Sequence, residues 1–284
     1  MAYRLDPEDK FIKSGFDEDH QAGFLYDMHC HTKEGSPDSK VSIEEYICIL
    51  REKGFSGMLI SDHDSYRGYT AYLSNGLKVK YPDFTVLKGI EYDTLDAGHI
   101  LCIMPESVDV KLLEIRGLPV AVLINLVHHF GGILGPAHPY GEKYLSFSHT
   151  IQKAVLSHVM DQFDFVEGFN ACEPEESNYP AAFWAKKYGK PVFGGSDAHW
   201  LDCVGLGYTS IPEKVTNRDE LIAFVQHRGL ELSCGGRRYG KTTKDKLGPF
   251  NRILVEGFWF YNRFEAFRKR RPRKKALDEF WRKQ

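Results

Sequence analysis

The sequence predicts an α/β fold in which helix-covered parallel strands close into a barrel, and three observations predict it. Through the middle of this 284-residue chain, short β-rich runs alternate with stretches of helical periodicity. Those runs are mostly apolar on both faces, the pattern of a parallel sheet covered by helices, and seven or eight such units usually close on themselves. Histidines and acids recur just past the predicted strand ends, where barrels of this kind carry their chemistry.

The elements follow in order. Residues 24–31 read as a strand. Ser42, with Glu45 three residues on, forms a capping box that starts a helix over 42–53. A strand at 57–61 is followed by a polar turn, 84–91 and 99–104 read as strands, and 119–130 as a helix. Strands at 133–137, 163–169 and 191–196 are separated by helical patterns at about 149–160 and 176–188. Asn217 with Glu220 caps a helix running to about His227, and 231–234 reads as a last short strand. A break falls at Gly235-Gly236. The chain thus divides into an acidic N-terminal tail (1–23), a barrel (24–235) and a basic, aromatic C-terminal extension (236–284).

Bulk properties narrow the class. The chain is 42% hydrophobic and 27% charged, ordinary for a soluble globular protein. Its longest apolar run, 118–127, contains Pro119 and Asn125 and is too short to span a bilayer. No charged-then-apolar leader opens the sequence, so a cytoplasmic location is expected. Six cysteines are scattered without a Cys-x-x-Cys pair, which argues against a thiolate zinc site and a disulfide framework. The net charge of −2 is uneven, because residues 263–284 hold ten Lys/Arg against three acids.

His29-Cys30-His31 is the most informative motif. Residues i and i+2 of a strand point to one side, so both imidazoles face the same way and make half of a metal site. Asp197 and His199 repeat the spacing, and Glu91 ends a strand, where its two oxygens could each take one ion. The candidate ligands number nine: His29, His31, Asp38, His63, Glu91, His99, His138, Asp197 and His199. At three or four per ion, with one shared, they fill three sites or over-fill two. Imidazole and carboxylate without thiolate suit two or three divalent ions of Mn, Zn or Fe. Glu34 competes with Asp38, and Asp93 and Asp96 lie in the turn before His99. Asp62 and Asp64 flank His63 and are read as orienting ligands by hydrogen bonds. Asn170 is read equally as a pocket residue or a turn former. His128 and His129 are adjacent on one helix and cannot face one ion together; with His20, His149, His158 and His227 they are read as structural or surface residues.

Asp27-Met-His-Cys-His31, then Ser36-Pro-Asp38 and Ser42-Ile-Glu-Glu45, resembles the opening motif of the polymerase-and-histidinol-phosphatase (PHP) family. Ile60-Ser-Asp-His63, Gly89-Ile-Glu91, Ala137-His-Pro139 and Gly195-Ser-Asp-Ala-His199 are similar to its later motifs, in the same order. The resemblance covers roughly residues 24–235. It implies a distorted (β/α)7 barrel with two or three metal ions that hydrolyse phosphoesters. Carried over, His29, His31, Glu91 and Asp197 hold a first ion, Glu91, His99 and His138 a second, and Asp38, His63 and His199 a third.

The function expected is a metal-dependent phosphomonoesterase whose nucleophile is metal-bound hydroxide rather than a side chain, consistent with the lack of a Gly-x-Ser-x-Gly elbow. Arg67 and Lys143, on loops expected to overhang the pocket, are the candidate phosphate donors. A phosphodiesterase or 3′-end nuclease is the alternative, with nucleic acid held by the basic extension; an inactive metal-binding regulatory domain is the third reading. The aromatic residues at helical spacing in that extension also read as an amphipathic helix docking on the acidic body.

Overall fold

The computed structural model describes residues 23–141, 146–150, 159–238 and 251–282. The N-terminal tail, Lys143 and most of the helix predicted at 149–160 therefore lie outside the described residues.

The strands are β1 (Phe24–Cys30), β2 (Gly57–Ile60), β3 (Thr85–Lys88), β4 (Ile90–Asp93), β5 (His99–Ile103), β6 (Ile133–Pro136), β7 (Val166–Asn170), β8 (Val192–Gly195), β9 (Gly207–Ile211) and β10 (Ser233–Gly236). The helices are α1 (Ile43–Glu52), α2 (Arg67–Ser74), α3 (Leu77–Lys80), α4 (Val120–His129), α5 (Phe147–Thr150), α6 (Glu175–Lys187), α7 (Arg218–Arg228), α8 (Asn251–Arg268) and α9 (Arg270–Arg282). Local chemistry explains several boundaries. Ser42 and Glu45 close the capping box of α1 as their spacing requires. The Asn217 side chain caps α7 by accepting from Glu220 N at 2.9 Å. In α4, Val120, Leu123, Ile124 and Val127 form the buried i, i+3, i+4, i+7 stripe, and Asp96 caps the helix by accepting from Val120 N.

Three hydrogen-bonded sheets result, in the orders β10-β9-β1-β2-β3, β4-β5-β6 and β7-β8. The β1–β2, β2–β3 and β7–β8 pairs are parallel, whereas β5 runs antiparallel to β4 and β6, and β9 antiparallel to β1 and β10. The purely parallel sheet is thus corrected to a mixed one. The strand predicted over 84–91 also divides. At Gly89 the chain passes so close to β2 that a Cβ would lie 2.8 Å from Leu59 Cδ1, and beyond it β4 pairs with β5 instead. The polar turn expected after β2 leads directly into α2. β9 escaped the sequence reading because its inward residues are polar: Thr209 Oγ1 accepts from Gly194 N at 2.7 Å and donates to Gly194 O, tying β9 to β8.

A few hydrogen bonds join each sheet to the next. Asp164 N donates to Leu134 O between β6 and β7, and Asp197 N donates to His29 O where β8 passes β1. Parallel bridges link His63 to Glu91 and Cys30 to Ala198. Asp27 reinforces the second junction: its buried carboxylate accepts from Ser196 N and Oγ, and burial pushes its pKa up to about 6. Beside the β7–β8 pairing, Phe165 and Phe193 stack with ring centroids 4.0 Å apart. No helix among the described residues is long and apolar enough to cross a membrane.

Candidate metal centre

β1 places the first two imidazoles. His29 near its end and His31 just past it bring their Nε2 atoms to 3.1 Å of one another, both side chains fully buried. Of the remaining candidates, His63 follows β2, His138 follows β6, Asp197 and His199 follow β8, and Asp38 lies in the loop between β1 and α1. Glu91 was expected to end a strand but stands near the start of β4, because the strand divides at Gly89. His99 opens β5 and reaches the same cluster because β5 is antiparallel to its neighbours.

Glu91 lies at the centre. Its Oε1 accepts from His99 Nδ1 at 2.9 Å and His138 Nε2 at 3.0 Å. Its Oε2 lies 2.9 Å from His63 Nδ1, 3.3 Å from His31 Nε2 and 3.4 Å from His29 Nε2. Burial works against the charge of this carboxyl, but the imidazoles of His99, His29 and His63 hold its pKa well below the ordinary value. Beside it, Asp197 Oδ1 lies 3.1 Å from His31 Nε2 and 3.7 Å from His29 Nε2. Asp38 Oδ2 lies 3.3 Å from His199 Nε2 and 3.5 Å from His63 Nε2. Glu34 instead accepts from Ile43 N at the start of α1, away from the cluster.

The structure adds residues that fix these side chains. Glu167, on β7, accepts from His29 Nδ1 at 2.8 Å, which leaves His29 Nε2 for the cluster. The same carboxylate accepts from His138 N and Asn170 Nδ2. Asn170 also donates to Asp197 Oδ2 at 3.1 Å, so its side chain does reach the site. Ser36 Oγ faces His31 Nδ1 at 3.2 Å, accepts from His63 N and donates to Asp62 Oδ1. Asp64 faces away, toward Arg116. Neither Glu167 nor Ser36 was singled out from sequence; the signal available was an acid inside an apolar strand and a serine within the Ser36-Pro-Asp38 motif. Arg67 opens α2 and is exposed.

Backbone strain marks the same place. Among the described residues other than glycine, positive φ occurs at Asp64 (47°), His138 (28°) and Asp197 (50°), each in or beside the cluster. Chemically, the arrangement could hold cations. Three sets of donors, His29–His31–Asp197, His63–Glu91–His99 and His31–His63–His199, each have their atoms within 4.8 Å of one another. Glu91 Oε2 is buried yet accepts no aligned hydrogen bond. The Nε2 atoms of His29 and His31 likewise face one space. Nitrogen and oxygen donors converging without thiolate fit divalent Mn, Zn or Fe. Burial pushes the pKa of His99 down to about 4.

The fold and donor set define an α/β protein whose clustered His, Asp and Glu side chains could bind metals. Residues 27–171 match the PHP domain and residues 175–228 the PHP-associated family, so the chain belongs to the PHP family. Solved structures share the fold at low identity. One, from Bifidobacterium adolescentis and assigned as a metal-dependent phosphoesterase, is 15% identical with a TM-score of 0.53, over 71% of this chain and 95% of that one. PsfC from Pseudomonas syringae is 14% identical with a TM-score of 0.51, over 83% and 98%. A two-domain protein from Bacteroides vulgatus, containing a PHP-like domain assigned as a metal-dependent phosphoesterase, is 16% identical with a TM-score of 0.57, over 81% and 70%. No curated protein matches the chain in sequence.

Proposed function

We propose that the chain is a metal-dependent phosphoesterase that hydrolyses a small phosphomonoester. The observation that carries this reading is Glu91, one buried carboxylate met by five imidazoles from four separate segments. In this reading His29, His31, Glu91 and Asp197 hold a first ion, Glu91, His99 and His138 a second, and Asp38, His63 and His199 a third. Divalent cations held there supply Lewis acidity toward the phosphoryl oxygens and a nucleophile at neutral pH.

The chain's own residues do the positioning. Glu167 fixes the tautomer and ring direction of His29, Asn170 orients Asp197, and Ser36 holds His31. Arg67 and Lys143 are proposed to meet the phosphate as cationic donors. The hydrogen bonds that join β6 to β7 and β8 to β1 support a distorted (β/α)7 barrel with the centre at the C-terminal rim of its strands.

One observation favours a phosphodiesterase or nuclease as the second reading. α8 exposes Phe264 and Phe267, and basic residues Lys269, Arg270 and Arg271 follow, a combination that suits single-stranded nucleic acid. Metal analysis of the purified protein, followed by turnover of p-nitrophenyl phosphate, bis-p-nitrophenyl phosphate and a short oligonucleotide with added Mn, separates the readings. About three equivalents of metal and preference for the monoester are expected. Preference for the diester or oligonucleotide overturns the monoesterase, and inactivity on all three, with metal bound, leaves a regulatory domain.

A further inference from the structure

α8 and α9 lie outside both segments matched by the family, yet they reach the back of the metal centre. The contact runs through the loop that follows β5. Arg116 NH2 lies 2.8 Å from Asp64 Oδ2, and its NH1 lies 3.5 Å from Asp93 Oδ2. Asp64 directly follows His63, and Asp93 stands two residues past Glu91. Both acids are largely buried, and Asp64 Oδ2 accepts no aligned hydrogen bond, so the guanidinium charge is what offsets its desolvation.

The same loop is stitched to β4. Gly117 N donates to Asp93 O at 2.8 Å, while Tyr92 OH donates to Ile115 O at 2.6 Å and accepts from Leu118 N. Asp64 N donates to Glu91 O, and Asp64 Oδ1 accepts from Asp93 N. Any shift of Arg116 therefore moves the backbone that carries His63 and Glu91.

The C-terminal helices hold Arg116 from the other side. Asn262 Oδ1, on α8, accepts from Arg116 NH1 at 2.5 Å, and Arg273 NH1, on α9, donates to Arg116 O at 2.6 Å and to Ala266 O at 3.0 Å. Asn262 and Ala266 are buried in a chain segment that is otherwise mostly exposed. Gly117, at φ +93°, makes the close approach possible: a Cβ there would lie 2.7 Å from Arg273 NH1 and 3.0 Å from Ala266 Cβ. Ala276 and Leu277 of α9 complete the seat against the core that contains Leu112, Leu113 and Leu118.

We propose that Arg116 is a positioning residue through which α8 and α9 brace the His63–Glu91 side of the metal centre. The inference rests on reading those two residues as ligands. The C-terminal extension then sets metal affinity and turnover from outside the site. Asn262→Leu keeps the side-chain size, removes the acceptor and lies on a peripheral helix, so it is the primary test; Arg116→Gln and the Arg116→Gln/Asp64→Asn pair follow. Each is measured by Mn titration, by kcat and KM on p-nitrophenyl phosphate, and by a thermal melt that reports folding. With a cooperative melt retained, N262L is expected to bind Mn about tenfold more weakly and to lose kcat with KM unchanged. R116Q is expected to lose more, and D64N in its background to recover affinity, because the uncompensated buried charge is gone. A wild type that binds Mn while N262L binds it equally well overturns the brace alone, as does a double variant no better than R116Q. A wild type that takes up none of Mn, Zn or Fe overturns the metal reading and the brace with it.

Discussion

Glu167 and His29 meet at 2.8 Å, carboxylate to Nδ1, although 138 residues separate them in the chain. β7 and β1 place them so, with β8 packed between: a Cβ on Gly195 would lie 2.4 Å from His29 Cβ. The bond gives His29 one tautomer and one direction, and Glu167 shares its other oxygen between His138 N and Asn170 Nδ2. A single carboxylate beside the His/Asp/Glu cluster thereby holds three of its residues.

Glu167→Gln is the direct test of that control. It keeps the shape but weakens acceptance from His29, and a loss of about 10–100-fold in metal affinity is expected. Titration of the chelator-stripped protein with Mn or Zn measures it. Wild-type affinity in the variant would show that His29 needs no such partner.

Proton competition sets a second expectation. Burial opposes charge on His29 and His63, yet Glu167 beside the first and Glu91 beside the second raise both pKa values well above 6.5. A group raised in the folded state stabilises below its unfolded pKa, and that contribution is lost as pH climbs through the folded value. The chelator-treated protein should therefore melt lower as pH rises from about 6.5 to 8, while metal affinity increases over the same interval. His99, held low by burial, acts in the opposite sense, and its contribution fades as pH climbs above the ordinary imidazole value. Melting temperatures with and without EDTA check both signs, and a flat apo profile contradicts them.

Arg67→Ala probes substrate contact. In the proposed role Arg67 would grip the phosphate in ground and transition states alike, so its removal is expected to raise KM by about tenfold or more with kcat little changed. Steady-state kinetics on a phosphomonoester decide it; unchanged KM would return Arg67 to the solvated surface.

Gly195→Ala tests the seam between β8 and β1. The added Cβ would fall 2.4 Å from His29 Cβ and 2.5 Å from His29 N, so one strand must move. A destabilisation of about 1–3 kcal/mol is expected, read by urea unfolding. A variant as stable as wild type would mean the seam has slack that the close approach denies.

Much of the centre is legible in the chain because its signals are local. His29 and His31 share a strand face two residues apart, and Ser42 and Glu45 announce α1 by their spacing alone. The choice between Asp38 and Glu34 was not legible, since both lie in one loop and only the fold turns Asp38 toward His63 and His199. β9 was hidden for a related reason. Its buried Thr209 looks solvent-facing until β8 satisfies the hydroxyl.

By itself the sequence determined which donors exist, that they are imidazoles and carboxylates rather than thiolates, and where the helices and most strands begin. Those are properties of single residues and of spacings shorter than a turn or two, and they did not reach α2 and α3, which stand where a polar turn was expected. The tertiary structure alone decided the direction of β5, which carries His99 to the cluster from the opening end of its strand. It alone joined Glu167 to His29 and Arg116 to Asn262, pairs 138 and 146 residues apart. Such contacts leave no periodicity in the chain, because they come from packing whole elements together rather than from the conformational preference of any one segment.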